Sequence, residues 1–352
     1  MDGTTPERTE LRPALENAHY TNPDHFAADR RRIFYRSWVG FCHDSDLAGP
    51  GAYMSGHVAD QPIFLIRGTD GTVRGFFNVC RHRAHRIVDG TGVAERVLVC
   101  PYHAWSYETS GALRSARGAE KGQDPTKLGL TPVRVENVAG FWFVNLDPGA
   151  EPISAIAPGL TQQVRETSPD IESYVRLCEG QYEIACNWKV FVENGLECYH
   201  CAPAHPGFCE AVDLDAYEIA SSGSYTRHWG SLKAGGTYSA WKLFPWTGLR
   251  ATTNPHTVTM ITQQPLAADR TIAKYELFGP AEMQGDTEQL RGDWIDTSFV
   301  HEDVALSESS QIGLNSLGFP GGLVMHSTAY DSEHMLTDFQ NWVRARLADH
   351  DV

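Results

Sequence analysis

Residues 80–105 read CRHRAHRIVDGTGVAERVLVCPYHAW. Cys80-Arg81-His82 and Cys100-Pro101-Tyr102-His103 are separated by 17 residues. Each loop carries one thiol and one imidazole. Zinc fingers usually take both cysteines from one loop and the histidines from elsewhere. Loops that each mix the two types suit a two-iron cluster clamped between them. Both cysteines then bind one iron and both histidines the other. Neutral histidine ligands raise the potential of such a cluster above that of an all-cysteine one. A Cys2His2 zinc site is the alternative. Pro101 tightens the second loop, and Trp105 is placed to shield the metal.

The flanks of this stretch read as short strands and turns. PIFLIR (62–67) and VRGFFNV (73–79) enclose GTDGT (68–72), whose Asp-Gly predicts a hairpin turn. RVLVC (96–100) and GFWFVNL (140–146) add strands, giving a small all-β module over 45–147. Upstream, Pro23 suits the first turn of a helix that Thr21 or Asn22 would cap. Phe26, Ile33, Phe34 and Trp38 give it an apolar stripe. Downstream, a Pro/Gly/Ala-rich stretch over 148–160 marks the exit from the module.

A second constellation follows in NWKVFVENGLECYHCAPAH, residues 187–205. A helix through Trp188–Tyr199 would set Glu197 and His200 on one face. Ala202-Pro203 would break it and turn His205 back toward His200. Two imidazoles with one distant carboxylate make the facial triad of non-haem iron enzymes, which leaves coordination positions open. The carboxylate must come from elsewhere. HEDVALSESSQ (301–311) is an acidic stretch, which on its own reads as a solvated helix face.

The segment 80–106 resembles the cluster motif of the Rieske non-haem iron oxygenases, in their large catalytic subunit. It departs at Ala84 and Ala104, where the family often has Gly. If either position requires positive φ, Ala is costly there. Residues 187–205 resemble the same family's iron-binding helix, and 301–311 its Glu-Asp…Glu…Gln helix. The resemblance implies a [2Fe–2S] cluster on Cys80, His82, Cys100 and His103. It implies mononuclear Fe(II) on His200, His205 and Asp303, with Glu302 the main competitor of Asp303 and with dioxygen as cosubstrate. It also implies that Glu197 bridges His200 to a cluster histidine of a neighbouring subunit, hence a homotrimer. Glu-Cys-Tyr-His-Cys (197–201) looks like the branch acting on carnitine, glycine betaine and stachydrine. For Cys198 and Cys201 packing is the expected role.

The implied fold is α+β. A helical segment over 1–44 packs on the catalytic domain, a Rieske β-module spans 45–147, and a helix-grip catalytic domain spans 148–352. In that domain an antiparallel sheet, with strands at 177–184, 257–265 and 270–279, wraps a long C-terminal helix. Helical spacing is read over 281–316 and again over 332–348, with Ser332 as a cap.

Composition excludes other classes. A chain of 352 residues with a net charge of −15 is a poor partner for nucleic acid. No apolar run reaches the roughly 18 residues of a membrane helix. The polar start, MDGTTPERTELRP, carries no signal core, so a cytoplasmic location is expected. In a reducing compartment the eight cysteines suit metal binding better than disulfides. No nucleotide fingerprint is present, so electrons must come from a separate flavin or iron–sulfur reductase. Tyr217, Tyr225, Trp229, Tyr238, Trp241, Phe244 and Trp246 form a dense aromatic region. It can supply a cation-binding box or plain core.

The expected activity is that of a terminal oxygenase hydroxylating a C–H bond of a small molecule. Demethylation or C–N cleavage of a quaternary ammonium compound or related amine is preferred. Aromatic-ring or natural-product hydroxylation is the alternative. A non-catalytic Rieske electron carrier would need only the β-module, so the second constellation argues against it.

Overall fold

The computed structural model describes residues 10–117, 125–222, 224–245, 247–253, 255–285, 300–327 and 332–348. Two compact units divide the chain: Tyr35–Pro152, and Ile153–Val352 together with Met1–Phe34.

The Tyr35–Pro152 unit holds a seven-stranded antiparallel sheet. Its order is Val39–His43, Phe141–Asn145, Pro132–Val138, Val73–Phe77, Gln61–Arg67, Ala52–Val58 and Thr91–Val93. Within PIFLIR the four residues Ile63–Ile66 are apolar without alternation because this part of the strand is buried on both faces. Phe64 and Ile66 enter one core with Phe76, Leu98 and Tyr107, while Ile63 and Leu65 enter another with Val39, Leu47 and Val144. The Asp-Gly turn forms as expected: Thr72 N donates to Asp70 Oδ1 at 3.0 Å, and Gly71 takes φ 78°. A three-stranded sheet, Leu98–Val99, Ser106–Tyr107 and Leu113–Ser115, carries the second Cys–His loop between its first two strands.

The unit borders differ from the expected 44/45 and 147/148. Val39–His43 pairs with Phe141–Asn145, so it is an edge strand of this sheet and not a continuation of the N-terminal helix. At the other end Trp38 Nε1 donates to Glu151 O at 2.8 Å and Arg134 donates to Ala150 O, tying 148–152 to the same unit.

In the second unit seven antiparallel strands follow the order Val175–Ile184, Arg270–Gly279, His256–Ala267, Thr247–Thr253, Thr237–Leu243, Tyr225–Ser231 and Glu218–Ser221. The last four were not expected from the sequence. The helix Pro23–Arg32 starts as read, with Asn22 Oδ1 accepting from Asp24 N. The helix His334–Ala348 buries Met335, Phe339 and Val343 completely. Ser332 does not cap it; its hydroxyl accepts from Ser327 N at 3.1 Å. Of the helical region read over 281–316, the helix Val300–Leu314 is seen, while 286–299 lie outside the described residues.

Helix Trp188–Leu196 is pinned from three sides. Asn187 Oδ1 accepts from Lys189 N, Asn187 N donates to Gln311 Oε1 at 2.8 Å, and Ala185 N donates to Glu308 Oε1 at 2.9 Å. Trp188 Nε1 donates to Asp29 Oδ2 at 2.9 Å, and Lys189 forms a fully buried ion pair with the same carboxylate. Glu308 and Gln311 thereby fix the helix that carries Asp303 against the one that leads to His200. Among the described residues no helix is long and apolar enough to cross a membrane.

Candidate functional site

The two Cys–His loops repeat one backbone pattern. Cys80 N donates to His85 O and Cys100 N to Trp105 O, both at 2.8 Å. Ala84 N donates to Cys80 O and Ala104 N to Cys100 O, both at 3.0 Å. Ala84 takes φ 58° and Ala104 φ 60°, so the two departures from glycine do fall in the left-handed region. Cys80 and Cys100 are buried at the core side. Burial and the neighbouring Cys80 thiol raise the pKa of Cys100. Tyr107 OH lies 3.2 Å from Cys80 Sγ and accepts from Arg81 N at 3.1 Å. The His82 and His103 rings meet edge-on, centroids 4.6 Å apart, and Trp105 stacks on His82 at 4.9 Å. Among the described residues His103 Nδ1 is buried without a hydrogen-bond partner. Two paired thiols, two facing imidazoles and an unused ring nitrogen fit a cluster with mixed ligation.

In the second unit the expected helix stops early. It ends at Leu196, and Glu197 is extended, with φ −121° and ψ 172°. Glu197 Oε2 accepts from the backbone N–H groups of Tyr199 and His200, which starts a new turn. Its other oxygen, Oε1, pairs with His200 Nδ1. His205 lies between two short helices, Cys201–Ala204 and Pro206–Ala211, so Pro203 sits inside a turn rather than breaking one. Cys198 and Cys201 are joined in a disulfide, Cα atoms 4.8 Å apart, which corrects the expectation of simple packing.

Nδ1 of each imidazole faces a carboxylate: His200 faces Glu197, and His205 faces Glu302 Oε2 at 2.7 Å. Both Nε2 atoms therefore turn the other way, toward Asp303 Oδ1, at 3.5 Å from His200 and 3.0 Å from His205. One donor atom from each of His200, His205 and Asp303 lies within 4.8 Å of the others. Carboxylates on the outer nitrogen orient a ligating imidazole and increase its basicity. Burial works against a charged His200, but Asp303 and Glu197 raise its pKa to about 9. The field that favours a proton here equally favours a metal cation, so the donor set fits one. Glu302, the expected competitor of Asp303, faces Nδ1 of His205 and is not part of the group formed by His200, His205 and Asp303.

A cavity opens beside these donors. Phe191, Phe208, Tyr217, Tyr238 and Tyr275 line it, with Lys242 and Arg250. Of the expected aromatics, Tyr217 and Tyr238 face it. Tyr225 bonds Pro158 O, Trp241 bonds Gln163, and Phe244 packs on Phe339. Trp246 lies outside the described residues. Phe191, Phe208, Tyr275 and both cations were missed. The readable signal was Lys242 and Arg250 standing in strands otherwise fit for a core.

Comparisons with known proteins agree with this geometry. Residues 37–134 match the Rieske [2Fe-2S] domain, and residues 171–235 match the ring hydroxylating alpha subunit (catalytic domain). The carnitine monooxygenase oxygenase subunit of Escherichia coli (strain K12) is 35% identical, over 92% of this chain and 90% of its own. The glycine betaine monooxygenase oxygenase subunit of Chromohalobacter salexigens is 36% identical over 55% of this chain and 43% of its own. A solved quaternary ammonium Rieske monooxygenase, described for carnitine oxidation and inter-subunit electron transfer, is 30% identical. It superposes with a TM-score of 0.87 over 96% of both chains. With both domains matched and a full-length relative at this identity, the chain belongs to the Rieske non-haem iron oxygenases, as an oxygenase subunit of the kind that uses a [2Fe–2S] cluster, mononuclear iron and dioxygen.

Proposed function

We propose that this chain is the terminal oxygenase of a monooxygenase acting on a quaternary ammonium compound or a related amine. The cavity carries this reading: five aromatic rings share it with His200, His205 and Asp303. Each well-placed ring face attracts a trimethylammonium group by about 0.5–2 kcal/mol. The full-length likeness to a carnitine monooxygenase oxygenase subunit supports the same substrate class.

Cys80, His82, Cys100 and His103 are assigned to the cluster, and His200, His205 and Asp303 to the iron. When bound, the cluster supplies single electrons and the iron a redox centre for dioxygen. The residues around them bind and orient. Glu197 and Glu302 hold the Nδ1 protons of His200 and His205, leaving Nε2 free to ligate. The aromatic walls seat the N-methyl groups and exclude water. Across the reaction one oxygen atom enters a C–H bond next to nitrogen. The other leaves as water, with two electrons and two protons consumed. The resulting α-hydroxy amine collapses to an aldehyde and a smaller amine.

Electrons come from a separate flavin or iron–sulfur reductase. We infer a homotrimer in which Glu197 would bridge His200 to a cluster histidine of a neighbouring subunit and so provide the path by which electrons cross. The exposed His82 and the relative described for inter-subunit electron transfer support this arrangement.

A single turnover tests the reading. Iron-loaded protein is reduced chemically, freed of reductant, and given dioxygen with carnitine, glycine betaine, choline or proline betaine. Aldehyde formed together with cluster reoxidation is the expected result. Reoxidation with no aldehyde from any amine, but a hydroxylated product from an aromatic panel, would overturn it.

A further inference from the structure

Two cavities share a wall at the end of helix Trp188–Leu196. Asn194, Glu197 and His200 line the aromatic cavity, and the same three residues line a second cavity of about 480 Å³. Glu193 faces only the second one, together with Tyr20 and Gln340. Leu306 and Leu323 also border it, and both are exposed, so it opens to solvent there. A space this large with polar groups on its wall holds water. Asn194 stands between the two spaces, and among the described residues its Oδ1 is buried without a hydrogen-bond partner.

Neither metal site uses Glu193. Tyr20 OH donates to its Oε1 at 2.8 Å and lies 3.0 Å from Oε2, and Gln340 Nε2 donates to Oε1 at 3.0 Å. Both donors are neutral, and they leave Oε2 able to carry a proton. The neighbouring cation, Lys189, is ion-paired with Asp29. Glu333 adds a like charge, and Arg344 acts on Tyr20. Burial outweighs the two donors and Lys189, so the carboxyl is raised to about 7. An acid in that range both holds and releases a proton at neutral pH.

We propose that Glu193 is a proton-relay residue, passing protons from the water of the second cavity past Asn194 to the site where dioxygen is reduced. The reaction consumes two protons with its two electrons. Each proton leaves the Glu193 carboxyl for water beside Asn194. The carboxylate is then reprotonated from the solvent side, so no net charge remains on it. This rests on the dioxygen chemistry of the family and does not depend on which substrate is oxidised.

Single turnovers of the iron-loaded holoenzyme across neutral pH test this, with the amine panel and then the aromatic panel as substrate. The wild-type rate should fall as pH rises through about 7, because the protonated carboxyl is the donor. Glu193→Gln keeps an acceptor for Tyr20 but carries no acidic proton. It should lose that pH limb and slow product formation by about tenfold or more, with iron content and substrate affinity unchanged. Glu193→Asp should restore part of the rate. Infrared titration reads the group without turnover: a protonated carboxyl band should vanish through about pH 7 in wild type and be missing in Glu193→Gln. Lys242, which burial lowers to about 7, is the other group able to give such a limb. A limb that survives in Glu193→Gln would therefore overturn the relay. So would a wild-type rate in that variant, or slowing that comes with lost iron or substrate binding. A hydroxylated aromatic in place of an aldehyde, with the same dependence on Glu193, would sink the amine reading and support the relay.

Discussion

The Cys–His loops draw all four donors from Cys80 to His103 and hold them with one repeated set of backbone hydrogen bonds. The His–His–Asp group draws its donors from His200, His205 and Asp303, so its carboxylate lies about a hundred residues away. The first site is held by backbone, with two alanines at positive φ. The second is held by side chains: Glu197 and Glu302 behind the imidazoles, and Glu308 and Gln311, on the helix that carries Asp303, tying it to Ala185 and Asn187. A backbone-built site depends on local turn chemistry, whereas a side-chain-built site depends on individual carboxylates far apart in sequence. Substitutions should therefore act on the two in different ways.

The largest effect is expected at Asp303. Asp303→Ala should abolish mononuclear iron binding and turnover while leaving the visible spectrum of the cluster unchanged. Metal analysis with absorption spectroscopy checks this, and loss of the cluster spectrum would join two sites held here to be separate. Glu302→Ala should weaken iron affinity or activity by about 10–100-fold, the usual consequence of removing an orienting partner. An effect as large as that of Asp303→Ala would make Glu302 a ligand after all.

A smaller effect concerns pH. Burial raises the carboxyl of Glu193 to about 7 from 4.5, against the lowering bonds from Tyr20 and Gln340. Between those values the folded chain holds more protons than the unfolded one, so stability falls as pH rises through that window. Thermal melts of Glu193→Gln and wild type should therefore shift in favour of the variant from pH 4.5 to pH 7. A constant difference would show that Glu193 ionises normally.

The smallest effect falls on the backbone-built site. Ala84→Gly and Ala104→Gly should each stabilise the fold by about 1 kcal/mol, since only Gly takes a left-handed φ without penalty. Melting curves that fall in both variants would remove backbone strain from the comparison.

The legibility of the two sites follows the same division. The loops were readable because mixed Cys–His spacing is local, and even the cost at Ala84 and Ala104 could be stated beforehand. His200 and His205 were readable as a pair. Asp303 came only through resemblance, because an acidic helix face looks the same whether it binds metal or water. The helix end at Leu196 was misplaced because apolar spacing continues past it. The Glu197 carboxylate ends the helix by capturing the next turn's N–H groups. The strands from Glu218 to Thr253 escaped notice because they carry buried Thr, His and Arg with aromatics on both faces, which blurs the period-two pattern.

Glu197 holds both backbone N–H groups and the His200 ring, and the Glu197→Gln variant tests its proposed role as the electron bridge most directly. Iron quantification and cluster spectroscopy are followed by a single turnover with substrate and dioxygen. Both metal centres should be retained, while substrate-dependent cluster reoxidation and product formation fall to background. Product formed at the wild-type rate, with both centres intact, would contradict a bridging role for Glu197.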